Sequence, residues 1–203
     1  LSFGPVGVQA SGFFELFGTY DRMGSVYQLV VVRLFAPLVV GVILAGAAGT
    51  AICASLGARV VREETAALSV LGVDPIKNLV VPRVLALTLA ALLFVVFAII
   101  AGMLGALLVL YQHDAEVRPF LATFRSNATA LELQAAILKS GLYGAIIAVV
   151  CCYRGMTVSG GPEGVGRAVN RAIVTCFLTI GFTDYVFTQL LLATQPILSQ
   201  VRG

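Results

Sequence analysis

The sequence predicts an all-α integral membrane protein, and three observations carry that prediction. The 203-residue chain is 59% hydrophobic and only 11% charged, with a mean hydropathy of +0.99, whereas soluble domains carry about 25% charged residues. Two runs, 34–56 and 84–110, contain no charge at all, and each exceeds the about 20 helical residues that cross a hydrocarbon layer. Between them lies one dense charged segment, 57–83, punctuated by glycine and proline. Such a segment is too costly to place in lipid, so it faces water at one membrane surface.

Taken in order, residues 1–33 are glycine-rich and mildly apolar, with Glu15, Asp21 and Arg22. They read as the end of a truncated span followed by a short outer helix. The chain starts at Leu1 without Met, and its apolar runs are too long for a cleaved signal peptide. Part of the natural N-terminus is therefore expected to be absent. Four clear spans follow: 34–56; 84–111; 131–153, whose first half holds Glu132 and Lys139; and 172–193, interrupted by Asp184. Residues 113–127, with the lone histidine His113, read as a polar loop with a short helix after Pro119. Residues 154–171 read as a glycine-rich turn region. One helical membrane domain over 1–203 is expected, with no linker and no repeat.

The first span carries a packing pattern. Gly41, Ala45, Gly49, Cys53 and Gly57 recur every four residues along one side of the helix, and Ala98, Gly102 and Ala106 repeat the pattern in the second span. In lipid, helices gain little from apolar burial against one another, so close backbone approach through such stripes drives association. The stripe serves either packing within the chain or an interface with a second copy of such a chain.

The charged segment reads as two short helices. The first covers 58–71 and ends at Gly72 in a left-handed cap. Asp74 caps the second, with Pro75 in its first turn, where a missing N–H costs nothing, and Pro82 fits the start of the next span. Glu63 and Glu64 fall mid-helix, with Arg59 at i−4 of Glu63. By itself this pattern describes a solvated loop face whose ion pairs contribute a few tenths of a kcal/mol each.

Loop charge sets the orientation. Arg59, Arg62, Lys77 and Arg83 in one loop and Arg154, Arg167 and Arg171 in another give seven cations, against Arg118, Arg125 and Lys139 between them. The positive-inside bias puts the seven on the cytoplasmic side. Counting helical rise places Lys139 and Asp184 each roughly 21 Å from that face, where an isolated charge is costly. A Lys139–Asp184 ion pair is expected, against the alternative that each snorkels or meets water.

Chemistry is nearly absent. The four cysteines (Cys53, Cys151, Cys152, Cys176) all fall in apolar spans and read as small buried hydrophobes, not as a disulfide framework or metal site. No carboxylate dyad or His/Cys cluster offers catalytic residues. Gly160 to Gly166 imitates a phosphate loop but lacks the Gly-Lys-Ser/Thr ending and a preceding strand, so ATP-driven work needs a separate subunit. The net charge of +3 comes from loop cations and points to no nucleic-acid partner. The match at Asn127-Ala128-Thr129 to a glycosylation acceptor carries no weight.

Several of these residues form a pattern. Glu64, then Leu68, then Gly72-Val73-Asp74-Pro75, followed by Leu79-Val80-Val81-Pro82-Arg83-Val84-Leu85-Ala86, resembles the signature of the MlaE/YrbE permease family, most closely the YrbE subunits paired with Mce proteins. The likeness extends to Ala45-Gly46-Ala47-Ala48-Gly49-Thr50 upstream, and through Lys139-Ser140 to Gly181-Phe182-Thr183-Asp184 downstream, over most of residues 30–195. The resemblance implies an MlaE-like permease bundle with part of a further N-terminal span, and with the family's elbow helix missing from this chain. It implies that 57–83 is a cytoplasmic coupling helix docking on an ABC ATPase, through Arg59, Arg62, Glu63, Glu64, Leu68, Gly72, Asp74 and Pro75. ATP and Mg²⁺ would belong to that partner, with no cofactor in this chain, and the other partners would be MCE-domain proteins and a lipid. Two departures stand out. The family's Arg-Glu-Leu-Gly-Pro reads Arg33-Leu34-Phe35-Ala36-Pro37 here, and its Ala-Gly-Arg-x-Gly-Ser reads Ala45-Gly46-Ala47-Ala48-Gly49-Thr50. Phe35 and Ala47 thus replace a Glu and an Arg, which implies a second, non-identical YrbE partner that keeps those charges. The expected function is a permease subunit for lipid in a bacterial cytoplasmic membrane; the alternative is an anchor that scaffolds envelope proteins and moves nothing.

Overall fold

A computed structural model describes residues 28–112 and 130–194, together with 118, 120–122 and 124. The readings of most of 1–33, of His113 and of the acceptor motif at Asn127 lie outside the described residues. Among the described residues all regular structure is helical, and four helices are long and apolar enough to cross a membrane: Val31–Val61, Ile76–Leu108, Glu132–Met156 and Gly161–Leu190. This is an all-α, multi-pass membrane protein.

The first span is one run of helix with two widened, π-type stretches, Gln28–Phe35 and Ala45–Gly49, which precede α1 (Ala36–Leu44) and α2 (Thr50–Val61). A third widened stretch, Ile76–Val80, leads into α4 (Val81–Gln112), and α3 (Glu64–Val70) is the short helix between the spans. Two of these stretches end two residues before a proline, Pro37 and Pro82. Each proline lacks the N–H that would close the preceding turn, so the freed backbone relaxes into wider turns. At the third, the Thr50 hydroxyl donates to the carbonyls of Gly46 (2.7 Å) and Ala47 (2.8 Å), satisfying groups that the widening leaves short of partners.

Two boundaries differ from the sequence expectation. The helix expected over 58–71 is broken. Helix α2 carries the first span on to Val61, the chain turns at Arg62-Glu63, and α3 begins at Glu64. Glu63 adopts φ 59°, the left-handed region, so it terminates one helix and opens the next instead of lying mid-helix. Nor is 154–171 a turn region. Helix α5 (Ala130–Met156) ends at 156, the turn is confined to 157–160, and α6 (Gly161–Thr194) starts at once with Pro162 in its first turn. Within 154–171 only Gly160 (φ 89°) and Gly161 (φ 68°) use glycine's left-handed freedom; Gly164 and Gly166 are helical, and a Cβ at Gly164 would clash with the Ser159 carbonyl.

The chain divides into two compact units, Leu1–Pro37 with Phe94–Leu138 and Thr188–Gly203, and Leu38–Leu93 with Lys139–Phe187. The first unit buries Val31, Val32, Ala36, Gly102, Ala106, Leu110, Phe120 and Ala136. The Phe120 and Phe124 rings stack at 6.2 Å, and Arg33 Nη1 lies 4.0 Å from Glu132 Oε1.

In the second unit the stripe Gly41, Ala45, Gly49, Cys53 and Gly57 is wholly buried, and it packs within the chain. A Cβ on Gly41 would meet Tyr143 at 3.2 Å, one on Gly49 would meet Cys151 Sγ at 2.9 Å, and one on Gly57 would meet Val158 at 3.0 Å. Helix α5 has close approaches of its own. A Cβ on Gly141 would meet Leu92 at 2.7 Å, and one on Gly144 would meet the Leu87 carbonyl oxygen at 2.8 Å. Backbones this close are what small residues permit in lipid. All four cysteines are buried, with Cys151 and Cys176 sulfurs 3.8 Å apart.

Candidate functional site

Two groups of residues stand out in the second unit. The first is the segment that joins the first two spans. Its start is set by the Arg62-Glu63 turn, where the Arg62 N–H donates to Ala58 (3.1 Å) and the Glu63 N–H to Val60 (3.0 Å). Glu64 then heads α3, where a carboxylate is favoured by the helix dipole. It lies 3.5 Å from Arg62 Nε and 4.0 Å from Arg59 Nε. The arginines therefore pair with Glu64, not with Glu63. All three side chains are well exposed, so these pairs contribute little to stability, about 0–1 kcal/mol.

The stop of α3 explains the spacing of the sequence pattern. The Val73 N–H donates to the Leu68 carbonyl (3.0 Å) and the Gly72 N–H to the Ser69 carbonyl (3.1 Å), with Gly72 at φ 76°. These are the paired bonds of a Schellman stop, which demands a left-handed residue four after Leu68. Asp74 then turns its carboxylate onto the Ile76 N–H (2.9 Å), while its carbonyl accepts from the Asn78 N–H (3.2 Å). Pro75 follows at φ −63°, already helical. Leu68, Gly72, Asp74 and Pro75 are thus residues of shape, which fix a sharp reversal between α3 and the next helix. That reversal holds Val70 and Leu71 out of the bundle, 87% and 77% exposed.

The second group is buried. Lys139 and Tyr143 lie one turn apart on α5, and both reach Asp184 Oδ1 on α6, Nζ at 2.7 Å and the phenol donating at 2.6 Å. Lys139 is 3% exposed, so it is a core residue and not a loop cation. Its ammonium also lies 5.9 Å from the Phe187 ring centroid. Next to it, the Ser140 hydroxyl donates to the Ala91 carbonyl on α4 (2.8 Å), so α5 is tied by polar bonds to two helices. Tyr143 escaped the sequence reading, although its spacing of four from Lys139 puts it on the same helix face.

Phe35 and Ala47 are both exposed at the surface of their units. Among the described residues no group of three or more His, Cys, Asp or Glu side chains is placed to hold a metal ion.

Comparisons with known proteins fit this architecture. A family model described as permease MlaE matches residues 4–190, starting well upstream of the motif likeness. A probable ABC transporter permease protein of Synechocystis sp. is 33% identical over 187 residues, covering 91% of this chain and 70% of that protein. One of the same description from Rickettsia felis is 32% identical over 87% of this chain and 69% of its own length. In Arabidopsis thaliana, the chloroplastic protein trigalactosyldiacylglycerol 1 is 32% identical over 86% of this chain and half of its own. With four membrane-capable helices and a family match over nearly its whole length, this chain belongs to the MlaE permease family.

Proposed function

We propose that this chain is the membrane subunit of an ATP-driven lipid transporter and that α3 with its flanking turns docks on a separate cytoplasmic ATPase. The observation that carries this reading is the apolar tip. Val70, the last residue of α3, and Leu71 beside it are 87% and 77% exposed, with the ionic Arg59, Arg62 and Glu64 side chains on the same segment. Exposed apolar groups rimmed by charge mark protein contact sites. A hard local reversal, fixed by Gly72 and Asp74, suits a segment that passes a push between subunits. ATP and Mg²⁺ belong to the ATPase in this reading, and the membrane is the cytoplasmic membrane of a bacterium.

The lipid substrate rests on family membership, on a plant relative whose name is that of a glycolipid, and on spans without rings of charge. MCE-domain proteins are the partners that the family likeness suggests. The second permease is proposed to be a non-identical chain. Phe35 and Ala47 lie on exposed surface, so the charges a partner keeps at those positions would not be duplicated by this one. A purified, active homodimer would contradict that pairing.

The test is Glu64→Ala, with ATPase docking and lipid movement measured separately. A permease loses both together. A scaffold keeps its envelope partners and its function when docking is lost.

A further inference from the structure

Where α5 ends and α6 begins, an open cavity of about 370 Å³ is lined by Arg154, Arg167, Asn170, Arg171, Val174 and Thr175. Three guanidinium groups line it and no carboxylate does. Arg167 has a partner, Glu163, at 3.7 Å. Among the described residues no carboxylate lies within 4.0 Å of Arg154 or Arg171. Guanidinium forks match phosphate oxygens two at a time, and the Asn170 amide adds a neutral donor, while the Thr175 hydroxyl is already given to the Arg171 carbonyl (2.7 Å).

The position of the cavity says where such a phosphate comes from. Helix α6 is 34 residues long, about 50 Å of helix, against a hydrocarbon layer of about 30 Å. Its first turns therefore stand in the headgroup zone. Arg171 is followed by the apolar Val174 and, one turn on, Leu178, which are 55% and 71% exposed, with Phe177 at 42% between them. A ligand with its phosphate among the arginines would have its next carbon atoms against Val174 and an acyl chain along Leu178.

We infer that this cavity is a binding site for the phosphate headgroup of an anionic phosphoglyceride of the surrounding leaflet. It is separate from the α3 segment and independent of whether that segment docks an ATPase. The bound lipid bridges α5 and α6 across the 157–160 turn.

The test uses the full chain in phosphatidylcholine nanodiscs, with labelled phosphatidylglycerol titrated in. The wild-type chain should bind phosphatidylglycerol in preference to labelled phosphatidylcholine, and equal binding overturns the inference without any variant. Arg154→Gln and Arg171→Gln should each weaken phosphatidylglycerol about fivefold, and together roughly 25-fold, on the scale of surface arginine–lipid attraction. The double lysine variant, which keeps the charge and loses the forks, should keep the preference for phosphatidylglycerol at reduced affinity. Excess inorganic phosphate should leave the bound lipid in place; complete displacement would make the site one for a soluble anion. Unchanged lipid affinity in the double glutamine variant, with loss of its ATPase in co-purification, would assign the arginines to protein contact instead.

Discussion

Tyr143 and Lys139 converge on a single oxygen of Asp184, at 2.6 and 2.7 Å, from adjacent turns of one helix. The carboxylate is 15% exposed and the lysine 3%, so the three groups satisfy one another where water is scarce. A buried pair of this kind gains little over apolar packing, but breaking one half strands the other charge. The cluster therefore acts as a latch that tolerates joint replacement better than single loss.

That asymmetry gives the first prediction. Asp184→Asn should destabilise the detergent-solubilised chain by about 3–5 kcal/mol, and Tyr143→Phe by about 1.5–3 kcal/mol for a bond to a charged group. The double change Lys139→Met with Asp184→Leu should recover most of the loss from Asp184→Asn. Thermal unfolding of the four proteins decides it; a double variant as unstable as the single one contradicts the latch.

Glycine positions separate by what lies opposite them. Gly144→Ala places a methyl 2.8 Å from the Leu87 carbonyl oxygen and 2.7 Å from the Ala91 Cβ, so α4 and α5 must move apart. Overpacking of this kind costs about 1–3 kcal/mol. Gly46→Ala meets nothing within 4 Å and should be neutral or stabilising by up to about 1 kcal/mol. Equal melting temperatures for the two variants would refute the close approach.

The two left-handed turns that bound α3 differ in residue type. Gly72 takes φ 76° freely, whereas Glu63 holds φ 59° with a side chain, a conformation costing about 1–2 kcal/mol. Glu63→Gly should therefore stabilise the segment against limited proteolysis, and Gly72→Ala should make it more readily cut. The reverse order would mean that the turns are not as described.

The sequence made the spans legible because 34–56 and 84–110 hold no charge, and lipid leaves such runs one choice. The stop of α3 was legible as well: a glycine before Asp-Pro specifies both a left-handed cap and a restart. The break at Glu63 was not, because glutamate has no preference for left-handed backbone and the surrounding residues favour helix. The first turns of α6 were hidden by Gly161, Gly164 and Gly166, of which only Gly164 packs against the 157–160 turn, where a Cβ would meet the Ser159 carbonyl. Lys139 and Asp184 could be set at one level by counting residues, and the structure joins them. The Ser140 bond to Ala91 depends on how α4 and α5 pack, and no local pattern reports that. The arginines at the base of α6 were read as orientation signals alone, since their convergence on one cavity needs the α5–α6 turn.

On the proposed function, α3 is where an ATPase meets the bundle. A photo-crosslinking amino acid placed at Val70, 87% exposed, tests it most directly in membranes holding the assembled transporter. A covalent adduct with the ATPase subunit is expected, fading when Glu64→Ala is added. Labelling of Val70 from the outer face of the membrane, or no protein adduct in an assembled and active complex, would contradict it.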